Sequence, residues 1–304
     1  FRIPECLEES VVSTLPECAR ERLNLERRAV DVRKDVVRMI GVARSGHLVS
    51  SLSIVDIMTW LYWNVLRVSP EEVSSPSRDR FVLSKGHGCP ALYATLANRG
   101  FFRREELWSY RRLGAMLQGH PASTRTPGVD ASSGSLGMGL GIAVGMALAG
   151  RLGKAPYRVV CLAGDGEMQE GAMWEAAMAA HHFSLSKILL IIDRNGVQME
   201  GETEEIMGLE PLDAKLESFG WSVAHADGHD FASLGRALAQ TDASGLPGAV
   251  IARTVPGHGV SFLENGSLRG KDALNRQRVE MALRELETVE RTIEVSLSGE
   301  EAIS

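Results

Sequence analysis

Tyr157-Arg-Val-Val-Cys-Leu-Ala-Gly164-Asp165-Gly166, followed one helical segment later by Lys187-Ile-Leu-Leu-Ile-Ile-Asp193-Arg194-Asn195, decides the fold. Each stretch is a short apolar run that ends in glycine or acidic residues, and the residues between them, 173–182, carry a helical period. Apolar runs without polar alternation are strands buried on both faces, as in a parallel sheet. The spacing therefore predicts strands over 157–162 and 188–193 that lie side by side, joined by a crossover helix.

The same alternation extends in both directions. Leu25, Val32, Val36, Met39 and Ile40 recur at helical spacing over residues 21–44, and Gly46 supplies a stop. A second helical pattern covers 54–66, and 80–84 reads as a short strand whose far end carries Lys85-Gly86-His87-Gly88. Helices over 91–99 and 136–152 come next. Beyond residue 200 the pattern continues as helix 212–219, strand 221–225, helix 231–239 and strand 249–255. The expected fold class is α/β: a doubly wound, mainly parallel sheet flanked by helices. Residues 1–20, with Pro4 and Pro16, read as an extended arm, 21–270 as one domain, and 271–304 as a surface or interface helix and tail.

Composition excludes several classes of function. The formal charge of −6, with both signs interspersed, offers no polycationic surface for nucleic acid. The 4 cysteines, Cys6, Cys18, Cys89 and Cys161, form no CxxC pair, so neither a disulfide framework nor a zinc site is suggested. The first residues lack the basic and apolar regions of a signal peptide, and the glycine-rich apolar run 136–150 is too short to span a bilayer. A soluble, cytoplasmic protein is expected.

Ligands of open α/β sheets bind beyond the carboxyl ends of the strands, which is where Asp165 and Asn195 fall. A carboxylate and an amide oxygen are hard donors suited to magnesium or calcium, and magnesium commonly completes its shell with phosphates and water. Gly166 would let the backbone approach such phosphates. Taken alone, Gly-Asp-Gly is equally a strand-to-helix turn with the aspartate as its cap. His181 and His182 read as charges at a helix carboxyl end, and Glu204-Glu205 and Arg103-Arg104-Glu105-Glu106 as solvated faces.

The run from Gly164-Asp-Gly-Glu-Met-Gln-Glu170 through Ala180, with Ile192-Asp-Arg-Asn-Gly-Val197-Gln, resembles the thiamine diphosphate motif of transketolases. Ser45-Gly-His47, Ser84-Lys-Gly-His87-Gly, Gly119-His120-Pro and Gly134-Ser135-Leu136-Gly agree with that family in order and spacing. The resemblance implies thiamine diphosphate as cofactor and a divalent metal, magnesium or else calcium or manganese, held by Asp165, Asn195 and the carbonyl of Val197. It implies that His87, Gly164, Gly166 and Glu167 face the diphosphate, and that Gly134, Ser135 and Leu136 line the cofactor pocket. Glu170 matches an interface glutamate, and His47 and His120 match histidines that face the transferred ketol.

The family also needs a glutamate for the cofactor's pyrimidine, supplied by a separate pyrimidine-binding domain with no room in this chain. A second, C-terminal subunit is therefore expected, in an α2β2 heterotetramer that moves a two-carbon ketol unit from a ketose donor to an aldehyde acceptor. One segment departs from the pattern. Split transketolases usually show a lysine near His258 and Trp-His-Gly where this chain has Leu268-Arg269-Gly270. Either His258 compensates for the lost histidine, or Arg269 reads a different anionic substrate group through its fork of donors. Competing readings are a subunit of a 2-oxo acid dehydrogenase or of a pyruvate-aldehyde synthase, and a catalytically silent scaffolding paralogue.

Overall fold

The apolar runs form strands β1 (Arg80–Leu83), β2 (Val159–Gly164), β3 (Ile188–Arg194), β4 (Ser222–Asp227) and β5 (Gly248–Arg253). In the computed structural model, which describes residues 15–155, 157–198, 201–264 and 275–301, they make a parallel 5-stranded sheet in the order β1-β2-β3-β5-β4. Gly164 pairs with Asp193, so the ends of β2 and β3 are level.

Side chains alternate across the pleat, and both faces are buried. Val160, Leu162, Leu189, Ile191, Val250 and Ala252 enter one core, whereas Val159, Cys161, Ile188, Leu190, Ala249 and Ile251 enter the other. The principal helices are α1 (Leu15–Ala43), α2 (Leu48–Leu52), α3 (Val55–Trp60), α4 (Cys89–Asn98), α5 (Met138–Leu152), α6 (Gly171–His182), α7 (Leu212–Ser218), α8 (Phe231–Asp242) and α9 (Arg276–Glu301). Helices α1 to α4, α8 and α9 build the first core, and α5 to α7 build the second. The expected doubly wound α/β sheet is the observed one.

Several boundaries differ from expectation. Helix α1 already runs at Leu15, so residues 15–20 are helix rather than arm. The expected helix 54–66 is broken into α3 and a wider turn, Leu61–Val65, preceded by α2. Strand β2 starts at Val159 rather than 157: Tyr157 instead hydrogen-bonds through its hydroxyl to the Met146 carbonyl of α5 (2.9 Å), and the Arg158 amide donates to Asp79 (2.8 Å). The C-terminal helix is not merely a surface element. Ala282, Leu286 and Ile293 of α9 are buried, Glu290 pairs with Lys34, and Arg27 pairs with Glu290 (2.6 Å) and Glu294 (3.3 Å).

The window Leu48–Val65 is long and apolar enough to cross a membrane, but 72% of it is buried inside the fold and it is interrupted between α2 and α3. It is a core segment of the sheet's helical layer. Arg269, with Leu268 and Gly270, lies outside the described residues.

Candidate functional site

Every strand end that matters delivers a polar residue to the same edge. β1 leads into Ser84-Lys85-Gly86-His87, β2 into Asp165, β3 into Asp193, Arg194 and Asn195, and β5 into Thr254. The sheet register makes them neighbours.

Asp165 sits at the turn out of β2. Its Oδ1 accepts from the Gly166 amide (2.7 Å), and its Oδ2 accepts from the Gly196 amide (2.7 Å), Arg194 Nη1 (3.0 Å) and Thr203 Oγ1 (3.3 Å). It is thus both the cap of the following turn and the partner of the β3 loop, so the capping and ligand readings of the sequence are compatible. Asn195 donates from Nδ2 to Asp193 Oδ2 (3.1 Å) and accepts on Oδ1 from the Val197 amide (3.0 Å), which fixes its amide orientation. Burial and the nearby Asp193 raise the pKa of the Asp165 carboxyl, a destabilisation that a cation relieves. The oxygens gathered there are hard donors that suit a magnesium-type ion. The Gln198 side chain packs where a Cβ on Gly166 would stand, and its amide donates to Gln169 Oε1 (2.9 Å).

Asp193 organises the floor beneath Asp165 and Asn195, a role the sequence did not reveal. It is 0% exposed and pairs with Lys85, itself 1% exposed; it also accepts from Thr254, and from Ser53 Oγ at 2.8 Å. Lys85 completes its bonding on the Ser50 carbonyl (3.1 Å). Glu167 is also buried. Its Oε1 accepts from Ser84 Oγ (2.6 Å) and the Gly137 amide (2.8 Å), and its Oε2 from the Gly164 amide (3.2 Å). That carboxylate ties the Gly134–Gly137 loop to the ends of β1 and β2, and burial raises its pKa. Gly137 needs its φ of +85°, and a Cβ there would lie 2.7 Å from that of Glu170. Gly134, Ser135, Leu136 and Glu170 are exposed along this loop.

Three of the four histidines selected from the sequence, His47, His87 and His120, converge. The rings of His47 and His87 meet edge to face at 5.1 Å, and the His120 ring lies over Gly134, its Cγ 3.5 Å from where a Cβ would stand. Burial, then the charge of Lys85, lowers His87 to about 3. Burial and Arg111 lower His47 and His120 as well. All three are therefore neutral near pH 7, each able to donate from one ring nitrogen and accept at the other. Arg111, absent from the sequence-based candidates, hydrogen-bonds Ser45 Oγ (2.6 Å) beside His47, with φ +61°.

His258 belongs to a separate group. It stacks on His229 at 3.6 Å and 25°, and both face Asp56, at 2.7 Å from His229 Nδ1 and 3.9 Å from His258 Nε2. The Val255 amide donates to His229 Nε2 (2.9 Å), so the His229 proton resides on Nδ1 and points to Asp56. Arg33 also pairs with Asp56, holding that carboxyl well below its usual range. The donor atoms of Asp56, His229 and His258 lie within 4.8 Å of one another, yet stacked rings aim their lone pairs in parallel rather than at one point. His258 Nδ1 is 3.0 Å from Glu264 Oε1 but without hydrogen-bond geometry. The array holds the loop after β5 against α1 and α3.

Two charge runs read as solvated are partly structural. Arg104 forks onto the buried Asp35 (2.8 and 2.6 Å), and Glu204 accepts from Arg194 (2.6 Å) and the Leu209 amide (3.1 Å).

The sequence matches the family described as transketolase, thiamine diphosphate binding domain, over residues 26–292. A parallel sheet with this edge is thus a thiamine diphosphate-binding domain, and the chain belongs to the transketolase family. A 6-deoxy-6-sulfo-D-fructose transketolase component from Clostridium sp. is 40% identical over 270 residues, 88% of this chain and 98% of that protein. One chain of the apulose-4-phosphate transketolase of Phocaeicola vulgatus, likewise named as a subunit, is 38% identical over 263 residues, 86% of this chain and 93% of that one. Among solved structures, the transketolase from Campylobacter jejuni superposes with a TM-score of 0.80 at 26% identity, covering 91% of this chain and 48% of the solved one. The chain spans about half the length of that solved transketolase and nearly all of the two shorter relatives.

Proposed function

We propose that the chain is the cofactor-diphosphate half of a two-chain transketolase, moving a two-carbon ketol unit from a ketose to an aldehyde together with a separate pyrimidine-binding subunit in a cytoplasmic α2β2 assembly. The observation that carries this reading is the placement of Asp165 and Asn195 just beyond the paired Gly164 and Asp193 at adjacent strand ends, with His47, His87 and His120 gathered at the same edge. Relatives of the same length named as transketolase subunits support the two-chain organisation.

In this reading Asp165, Asn195 and the Val197 carbonyl hold magnesium, and His87 and the backbone at Gly166 face the diphosphate. Thiamine diphosphate, when bound, supplies the nucleophilic carbon for ketol transfer. The neutral imidazoles of His47 and His120 donate hydrogen bonds to the substrate oxygen on which negative charge develops and accept from its hydroxyls. Leu136 and Met138, exposed at 38% and 54%, cover the apolar part of the cofactor and exclude water from it. Glu170, exposed beside this loop, faces the assembly partner. Two related subunits are named for ketoses with an anionic end, a sulfonate and a phosphate. The substrates proposed here likewise carry an anionic terminus, with Arg269 as a contact to it.

Calorimetric titration with thiamine diphosphate tests the cofactor assignment. Binding is expected only with magnesium present and is expected to vanish in Asp165→Ala; metal-independent binding would remove the assignment.

A further inference from the structure

Arg194, the middle residue of the second strand-end motif, reaches across to the first, and none of the roles assigned above uses it. One guanidinium serves three carboxylates: Nη1 donates to Asp165 Oδ2 (3.0 Å), and Nη2 donates to Glu204 Oε1 (2.6 Å) and Glu210 Oε1 (3.0 Å). Its side chain is 14% exposed. Both outer carboxylates are themselves fixed by main chain. Glu204 accepts from the Leu209 amide (3.2 and 3.1 Å), and Glu210 from the Leu212 amide (2.9 Å).

We infer that Arg194 is a positioning residue that aims Asp165 at the metal and couples metal and cofactor binding to the order of residues 201–211. The inference rests on the magnesium reading given above.

The geometry divides the labour between the two oxygens of Asp165. Oδ2 is saturated by Arg194, the Gly196 amide and Thr203, whereas among the described residues Oδ1 receives the Gly166 amide alone. Three donors on one oxygen fix the plane of the carboxylate and leave the other as the free ligand; partners of this kind orient metal ligands. The same contacts seat the following segment. The Thr203 amide donates to the Gly196 carbonyl (2.9 Å), the Gln198 amide to the Gly201 carbonyl (2.8 Å), and Gln169 reaches the Met207 carbonyl (2.7 Å). With one guanidinium among three carboxylates the array carries excess negative charge. A cation at Asp165 reduces it, and the segment's carboxylates then hold Arg194 with less mutual repulsion. A simple ion pair on the surface would show neither the saturated oxygen nor the anchored outer carboxylates.

The full chain is titrated with thiamine diphosphate and Mg²⁺ by calorimetry, and amide exchange is followed at Leu209 and Leu212 with and without the two ligands. In the unmodified chain the ligands slow exchange at both amides. Arg194→Met is expected to weaken magnesium-dependent binding by about tenfold or more and to abolish the ligand-induced slowing. Glu204→Gln weakens binding in the unmodified background but adds little in Arg194→Met, because the two act through one contact chain. Should Arg194→Met fail to fold, Glu204→Gln alone carries the test, since unchanged affinity and exchange in that variant overturn the inference. Wild-type affinity in Arg194→Met alongside lost binding in Asp165→Asn overturns the coupling and leaves the metal reading standing. Unchanged binding in Asp165→Asn, or no binding by the unmodified chain, overturns the metal reading itself.

Discussion

The ammonium of Lys85 pairs with the carboxylate of Asp193 with both groups sealed from water, directly beneath the Asn195 side chain. Removing one partner leaves an uncompensated buried charge. Asp193→Asn or Lys85→Met is expected to destabilise the chain by about 3–5 kcal/mol, and the double variant by less than the sum of the two. Denaturant unfolding checks this; a loss near zero in either single variant would mean that the pair is not buried in solution.

In the proposed function His47 and His120 serve the substrate rather than the cofactor. Alanine at either position is expected to lower turnover by about 10²-fold with thiamine diphosphate affinity nearly unchanged. Steady-state rates on the reconstituted pair, set beside cofactor titrations, separate the two effects. A loss confined to cofactor affinity would move these histidines to the diphosphate side.

Stability is expected to depend on pH through two other histidines, His87 and His258. His87 is lowered to about 3 and His258 to about 4, chiefly by burial, whereas in the unfolded chain both titrate near 6.5. Below that value the unfolded state binds more protons than the folded one, so stability falls as pH drops from 6.5 towards 4. Each such histidine contributes a slope of up to about 1.4 kcal/mol per pH unit. Unfolding midpoints measured between pH 7 and pH 5 should decline, and His87→Gln should make the decline shallower. A flat profile would place the ring in water.

What the sequence made legible was whatever repeats or clusters locally. The apolar runs of β2, β3 and β5 and the helical spacing between them specify a parallel sheet because burial on both faces demands continuous apolarity. Gly164-Asp165-Gly166 and Asp193-Arg194-Asn195 are each contiguous and sit level across one strand pair. Asp193, by contrast, was visible only as a letter within a motif: its partners Ser53, Lys85 and Thr254 come from three distant segments. The stack of His229 on His258 over Asp56 likewise joins the loops after β4 and β5 to α3, and no local period marks it. Arg104 and Glu204 read as solvated because charge runs usually are, and only tertiary packing sets Asp35 and Arg194 against them.

The proposed function has this chain hold the cofactor's diphosphate and complete ketol transfer only with a second polypeptide. The most direct measurement is the rate of ketol transfer from a ketose phosphate, with thiamine diphosphate and magnesium supplied, by the purified chain alone and after mixing with a pyrimidine-binding transketolase subunit. No measurable transfer is expected from the chain alone and activity is expected on mixing, with none on mixing when Asp165→Ala replaces the unmodified chain. Transfer at a transketolase-like rate by the partner-free chain would contradict it.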